Sequence, residues 1–130
     1  MQYHHTALIT VLSLLVYWAT IALVGKARGK YKISAPAVSG NADFERVFRV
    51  QQNTLESLIM HLPALWLFAI YVSDIWAAAL GAAWIVGRIL YTQGYIAEAK
   101  KRGAGMMISF VATTVLLLGD LGAIVCAMLR

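Results

Sequence analysis

The sequence predicts an all-α protein built as an integral-membrane bundle of four helices. Hydrophobic residues make up 61% of the chain and charged ones only 13%, with a mean hydropathy of +0.72, an imbalance foreign to a soluble domain of this size. Four apolar runs approach the roughly 20 residues a helix needs to cross a hydrocarbon core. The charges gather between those runs. A single domain, residues 1–130, uses up the chain, with no internal repeat or low-complexity tract.

The first span is Thr6 to Gly25, which carries no charge. No Lys or Arg precedes it and its apolar core is longer than that of a secretion signal, so it is expected to stay in the mature chain. His4 and His5 stand side by side before it, a spacing that does not converge on a metal; they read as a solvated terminus, and no metal site is expected. Gly25 to Asp43 reads as a polar, basic connection punctuated by Gly29, Pro36 and Gly40. The second helix opens on FERVFRVQQNTLESL, Phe44 to Leu58, and crosses through Leu58 to Ser73. Within it His61 is expected to be packed and hydrogen-bonded, and Pro63 to bend the helix. The third span runs from Ile75 to about Tyr95, interrupted only by Arg88, and its small residues Ala77 to Ala83 favour close packing. The fourth runs from Ala104 to Leu129. Asp120 within it reads as structural, neutral and hydrogen-bonded, and Cys126, the only cysteine, as a packing residue.

Ten of the eleven Lys and Arg residues fall around the first and third connections, Arg130 being the exception. Basic residues favour the cytoplasmic side, so both termini are expected outside and the basic connections inside. Attraction to anionic lipid explains the exposed lysines, and nothing supports nucleic-acid binding. The ending AMLR carries no retrieval signal, which fits a bacterial inner membrane. With an odd number of crossings before each, the start of helix 2 and the end of helix 3 meet at the same face.

At 100° per residue, and with Glu45 as zero, Arg49 falls at about 40°, Gln52 at about −20°, Glu56 at about 20° and Asn53 at about 80°. These form one stripe, whereas Gln51, at about 240°, points away. On helix 3, Tyr91, Tyr95, Glu98 and Arg102 all lie within about 80° of Arg88. Ionisable groups at membrane depth cost about 2.5 to 3.5 kcal/mol each and face a protein interior or wet cavity. Mutual neutralisation, for instance Glu45 or Glu56 with Arg88, is the purely structural account. Two arginines, acids, amides and tyrosines exceed what it requires. Arginine suits carboxylate, the acids suit ammonium, and amides and phenols suit peptide groups, so a small zwitterionic peptide fits.

The motifs FERVFRVQQNTLES and RILYTQGYIAEAKKR, the latter Arg88 to Arg102, resemble the MAPEG family, membrane-associated proteins of eicosanoid and glutathione metabolism. The pattern is nearest its leukotriene C4 synthase and microsomal glutathione transferase 2 branch. The resemblance implies a homotrimer of four-helix subunits with glutathione, as co-substrate, held between neighbours on the cytoplasmic side. It implies that Arg49, Asn53, Glu56, Tyr91, Tyr95 and Arg102 line the site from one subunit, and that Arg28 and Gln51 reach in from the adjacent one. Arg102 would sit by the cysteinyl sulfur as the catalytic cation. Gly29 stands where the leukotriene synthase has a second arginine, and Ser57 where it has a tyrosine.

A free thiol titrates near pKa 8.5, leaving only a few per cent as thiolate at about pH 7, and a nearby cation enlarges that fraction. The implied activity is therefore a glutathione transferase, with possible peroxidase action, on apolar electrophiles or hydroperoxides arriving from the membrane lipid. Two other functions compete: a non-catalytic lipid-binding scaffold of the same family, and a small proton-coupled exporter. The exporter would need an acid deep in helix 1, and Thr6 to Gly25 contains none.

Overall fold

A computed structural model describes residues 2–130. Four long helices, α1 (His4–Tyr31), α2 (Ala42–Tyr71), α3 (Asp74–Ala97) and α4 (Gly103–Met128), follow one another, with a single 3-10 turn, Ala99–Arg102, before the last. Each is long and apolar enough to cross a membrane. Helix α3 packs on all three others, while α1 and α4 pack on α2 and α3 rather than on each other.

Local signals set most of the boundaries. Asn41 caps α2, its side-chain oxygen accepting from the Phe44 amide at 3.0 Å, and Asp43 and Glu45 follow in the first turn, where the helix dipole favours them. Ser73 caps α3 in the same way, accepting from the Trp76 amide at 3.3 Å. Helix α1 runs past the predicted connection, to Tyr31 rather than Gly25. Val24 and Ala27 are buried there against Phe44 and Val47 of α2, so tertiary packing carries the helix through Gly25 and Gly29. It ends at Lys32 in a left-handed conformation, φ 57°, with the Ile33 amide returning to the Arg28 carbonyl at 3.1 Å. Helix α3, conversely, stops at Ala97. Glu98 turns extended, so it leaves the stripe on which helical spacing placed it.

Three buried layers stack along the bundle: Val24, Ala27, Phe44 and Val47 at the basic end, Leu58, Trp84 and Ala112 in the middle, and Leu65, Phe68, Ala77 and Leu116 toward the other end. Lipid is as apolar as these side chains, so close packing rather than escape from water holds such helices together. The small residues show where contact is tightest. A Cβ on Gly105 would lie 2.2 Å from the Tyr91 amide nitrogen, and one on Gly87 2.7 Å from that of Ser109, so α3 and α4 touch backbone to backbone.

At the end opposite the basic one, the Asp74 carboxylate accepts from the Thr6 amide at 2.9 Å and pairs with the His5 ring at 2.7 Å. His5 stays exposed, as a solvated terminus should, but it also pairs with Asp74, because that residue heads α3 beside the start of α1. The Cys126 thiol, expected to pack, is exposed on the surface of this chain near the end of α4. Asp120 is buried, but the hydrogen bonding expected of it is not found: neither carboxylate oxygen has a partner among the described residues. Pro63 lies inside α2 without ending it.

Overpacking a backbone contact costs about 1–3 kcal/mol. Gly105→Ala is accordingly expected to melt earlier in detergent micelles than the parent, followed by circular dichroism. Gly122→Ala is its control: a Cβ there meets nothing within 4 Å, and the melting temperature is expected to hold or rise. Equal melting of the two variants would contradict the account of α3 against α4.

Candidate functional site

Because α2 rises from the basic end and α3 descends to it, the two polar stripes face each other, and the 3-10 turn folds beneath them. The result is a cavity of about 390 Å³ lined by Arg49, Gln52, Asn53, Glu56, Tyr91, Tyr95, Arg102 and Met106. All six residues expected from one subunit, Arg49, Asn53, Glu56, Tyr91, Tyr95 and Arg102, are brought together here. Gln52 lay on the predicted stripe without being singled out. Met106 was not foreseen, although it sits one turn after Arg102 and its spacing was available.

Beneath the cavity floor lies Arg88, 2% exposed. One terminal nitrogen donates to the side-chain oxygens of Asn53 and Thr54, each at 2.9 Å, while the guanidinium carbon lies 4.2 Å from the centre of the Tyr91 ring. No acid pairs with it: the only side-chain ion pairs among the described residues are His5 with Asp74 and Arg46 with Asp43. The interhelical pairing of Glu45 or Glu56 with Arg88 is thus replaced by hydrogen bonds. The physical reason is depth: Asn53 and Thr54 project level with Arg88, whereas Glu56 is exposed toward the cavity. Asn53 spends its oxygen on Arg88 and leaves its amide donors to the cavity.

An aromatic ladder then positions Arg102. Tyr91 and Tyr95 meet edge to face at 5.5 Å between centroids, and the Arg102 guanidinium carbon lies 5.3 Å over the Tyr95 ring. Although exposed, Arg102 is held over the cavity by this cation–π contact and by the turn beneath it. A Cβ on Gly94 would lie 2.3 Å from the Lys101 carbonyl oxygen, so only glycine lets the turn fold so close to α3. With Arg49 and Arg102 against Glu56, the lining carries an excess of positive charge and offers every partner needed by an anionic, peptide-like molecule.

Toward the membrane centre a second groove of about 330 Å³ shares Asn53, Glu56 and Met106 with the cavity and continues along Met60, Phe110 and Thr113. The polar site therefore opens onto an apolar one. Ser57 lines this groove, but its hydroxyl accepts from the Trp84 indole at 2.9 Å. Trp84 in turn stacks on His61, 4.1 Å apart and 6° from parallel, and the His61 ring lies 3.4 Å from the Ser13 hydroxyl. His61 is thus a packed, hydrogen-bonded core residue, as the sequence suggested. A Cβ at Gly29 meets nothing within 4 Å.

Arg28 and Gln51 are not in this chain's cavity. Arg28 donates to the Ala37 carbonyl at 2.8 Å and to that of Ile33 at 3.3 Å, with its guanidinium over Phe44 at 5.1 Å. Gln51 is half-buried and absent from the lining, as its angle on the wheel required.

Four membrane-length helices around a cationic cavity with an apolar extension define a multi-pass membrane protein with a composite polar and apolar site at one end. The chain belongs to the MAPEG family, whose model matches residues 6–121. It is 50% identical over 115 residues to an uncharacterized protein of Synechocystis sp., an alignment spanning 88% of this chain and 84% of that one. Human microsomal glutathione S-transferase 2 is 46% identical over 100 residues, 76% of this chain and 68% of that protein. Bovine leukotriene C4 synthase is 32% identical over 103 residues, 79% and 69% of the two chains.

Hydrogen bonds to charged groups contribute about 1.5–3 kcal/mol. Thr54→Val, which keeps the shape but removes an acceptor from Arg88, is expected to lose that much stability. Denaturation in mixed micelles measures it, and an unchanged midpoint would mean that Arg88 does not depend on α2.

Proposed function

We propose that the protein is a glutathione-dependent membrane transferase that joins the tripeptide thiol to apolar electrophiles and also reduces apolar hydroperoxides. The observation that carries this reading is the cavity shared by Arg49, Asn53, Glu56, Tyr91, Tyr95 and Arg102, with an apolar groove leading off it. Relatives named as glutathione S-transferases support the co-substrate. Arg49 takes a carboxylate of glutathione, Glu56 its ammonium group, and Asn53 and the tyrosine hydroxyls its peptide groups.

Arg102 supplies the chemistry. Its fixed charge lowers the pKa of the bound thiol, so that the proton leaves to solvent and the thiolate accumulates. The thiolate sulfur attacks the electrophilic carbon; a C–S bond forms as the leaving group departs with its electron pair. With a hydroperoxide, sulfur attacks the terminal oxygen and the O–O bond breaks, giving an alcohol after protonation. The resulting sulfenic form of glutathione then condenses with a second glutathione to the disulfide and water.

The functional unit in this reading is a homotrimer, Arg28 and Gln51 completing a neighbouring subunit's site. The position of Gln51 off its own cavity supports that division. The site faces the cytoplasm and both termini face outward, in keeping with the basic residues gathered at the cavity end. The membrane is a bacterial inner membrane, in keeping with the cyanobacterial relative.

Calorimetric titration with glutathione, followed by conjugation of a chlorodinitrobenzene, tests the proposal. Arg102→Ala is expected to keep measurable glutathione binding but to lower the bound thiolate, read by its ultraviolet absorbance, by about tenfold or more, with kcat falling in step. Absence of glutathione binding in the parent protein would refute the reading. Tyr95→Phe retains the ring over which Arg102 stacks and is expected to stay within about threefold of the parent, whereas Tyr95→Leu loses about 0.5–1 kcal/mol of that contact. If both variants behaved alike, the ring would have no part in holding Arg102.

A further inference from the structure

On the face of the bundle between α1 and α3 lies a separate groove of about 500 Å³, lined on α1 by Leu12, Leu15, Val16, Ala19, Thr20 and Leu23 and on α3 by Ile85, Ile89, Thr92 and Gln93. It shares no residue with the cavity described above. Its character changes along its length. The deep part is aliphatic, while the end nearer the basic connections carries the hydroxyl of Thr92, buried without a partner, and the exposed amide of Gln93.

The positions on α1 continue the same stripe: Leu12, Val16, Ala19 and Leu23 are followed at the same three- and four-residue spacing by Lys26 and Lys30. Both lysines are exposed, and neither has an acid within 4.0 Å among the described residues. The Lys30 ammonium nitrogen lies 5.3 Å from the centre of the Tyr31 ring, a contact that holds the cation at the end of the stripe without neutralising it. From Leu12 to Leu23 the groove extends about 16 Å at the helical rise. One leaflet of a hydrocarbon core about 30 Å thick is almost that deep.

The geometry points to a binding site for one anionic phospholipid per subunit, with an acyl chain along the α1–α3 groove, its ester oxygens at Thr92 and Gln93, and its phosphate between Lys26 and Lys30. An apolar slot one leaflet long, closed at the water side by hydrogen-bond donors and then by unneutralised cations, matches that molecule part for part. A second copy of the chain fits less well. Arg28, the α1 residue that the trimeric reading turns toward a neighbour, lies about 200° around the helix from Lys26, on the opposite face. A purely apolar substrate would leave Thr92 and the lysines without a role.

Native mass spectrometry of the full-length protein, released from mixed vesicles of phosphatidylglycerol and phosphatidylcholine, tests the assignment. The parent protein is expected to retain one phosphatidylglycerol per subunit under activation that strips phosphatidylcholine. In Lys26→Glu/Lys30→Glu the preference is expected to fall by about fivefold for each lysine, with glutathione binding unchanged because neither lysine lines the cavity. Ala19→Phe, which fills the groove from a lipid-facing position, is expected to lose the retained lipid of either kind while keeping its helical circular dichroism. Equal retention of the two lipids by the parent, an undiminished preference in the double variant, or full retention by Ala19→Phe would each overturn the proposal.

Discussion

The bundle is organised around a positive charge that has no negative partner. Arg88 sits at 2% exposure on a helix that crosses the bilayer, where an unsatisfied guanidinium would be prohibitive. Neutral groups engage its two terminal nitrogens and its face: Asn53 and Thr54 on α2, the Ser109 hydroxyl of α4 at 3.5 Å and the Tyr91 ring one turn away, while its Nε has no partner among the described residues. Three helices are thereby fixed in rotation and in height at one level. The cavity above inherits that precision, because Asn53 and Tyr91 belong both to the support of Arg88 and to the lining. Since Arg88 leaves Glu56 unneutralised, that acid remains available to whatever occupies the cavity.

The remaining packing serves the same registration. Where lipid competes equally for apolar side chains, helices hold by approach and by polar contact, and both are present. Gly87 and Gly105 let α3 and α4 meet along their backbones, carrying Met106 to the cavity. The stack of Trp84 on His61, with its bonds to Ser57 and Ser13, ties α3 to α2 and α2 to α1 at mid-depth. The Asp74 contacts with His5 and Thr6 close the far end, well away from the cavity. Fixation of the bundle is thus spread along its length, and the charged, open chemistry is confined to one end.

Much of this was legible in the residues because membrane helices obey two strong periodicities. Apolar length gave four spans, and the 100° step placed Arg49, Asn53 and Glu56 opposite Tyr91 and Tyr95 while sending Gln51 the other way. What the wheel missed were features decided by contact between elements. Glu98 left its stripe because α3 ends at Ala97. Helix α1 outran its apolar segment because Val24 and Ala27 had Phe44 to pack on. The acid that the purely structural account offered Arg88 is replaced by an amide and a hydroxyl, since periodicity gives direction but not depth. Asp74 found His5 across a separation in sequence that no local pattern spans.

The single turn from Ala99 to Arg102 has a mechanical corollary. It leaves no slack between the guanidinium over the cavity and the helix whose Phe110 and Thr113 line the apolar groove, and the Lys101 carbonyl seated on Gly94 acts as its fulcrum. The position of the charged tip is thereby tied to the packing of α4, with no flexible loop between them.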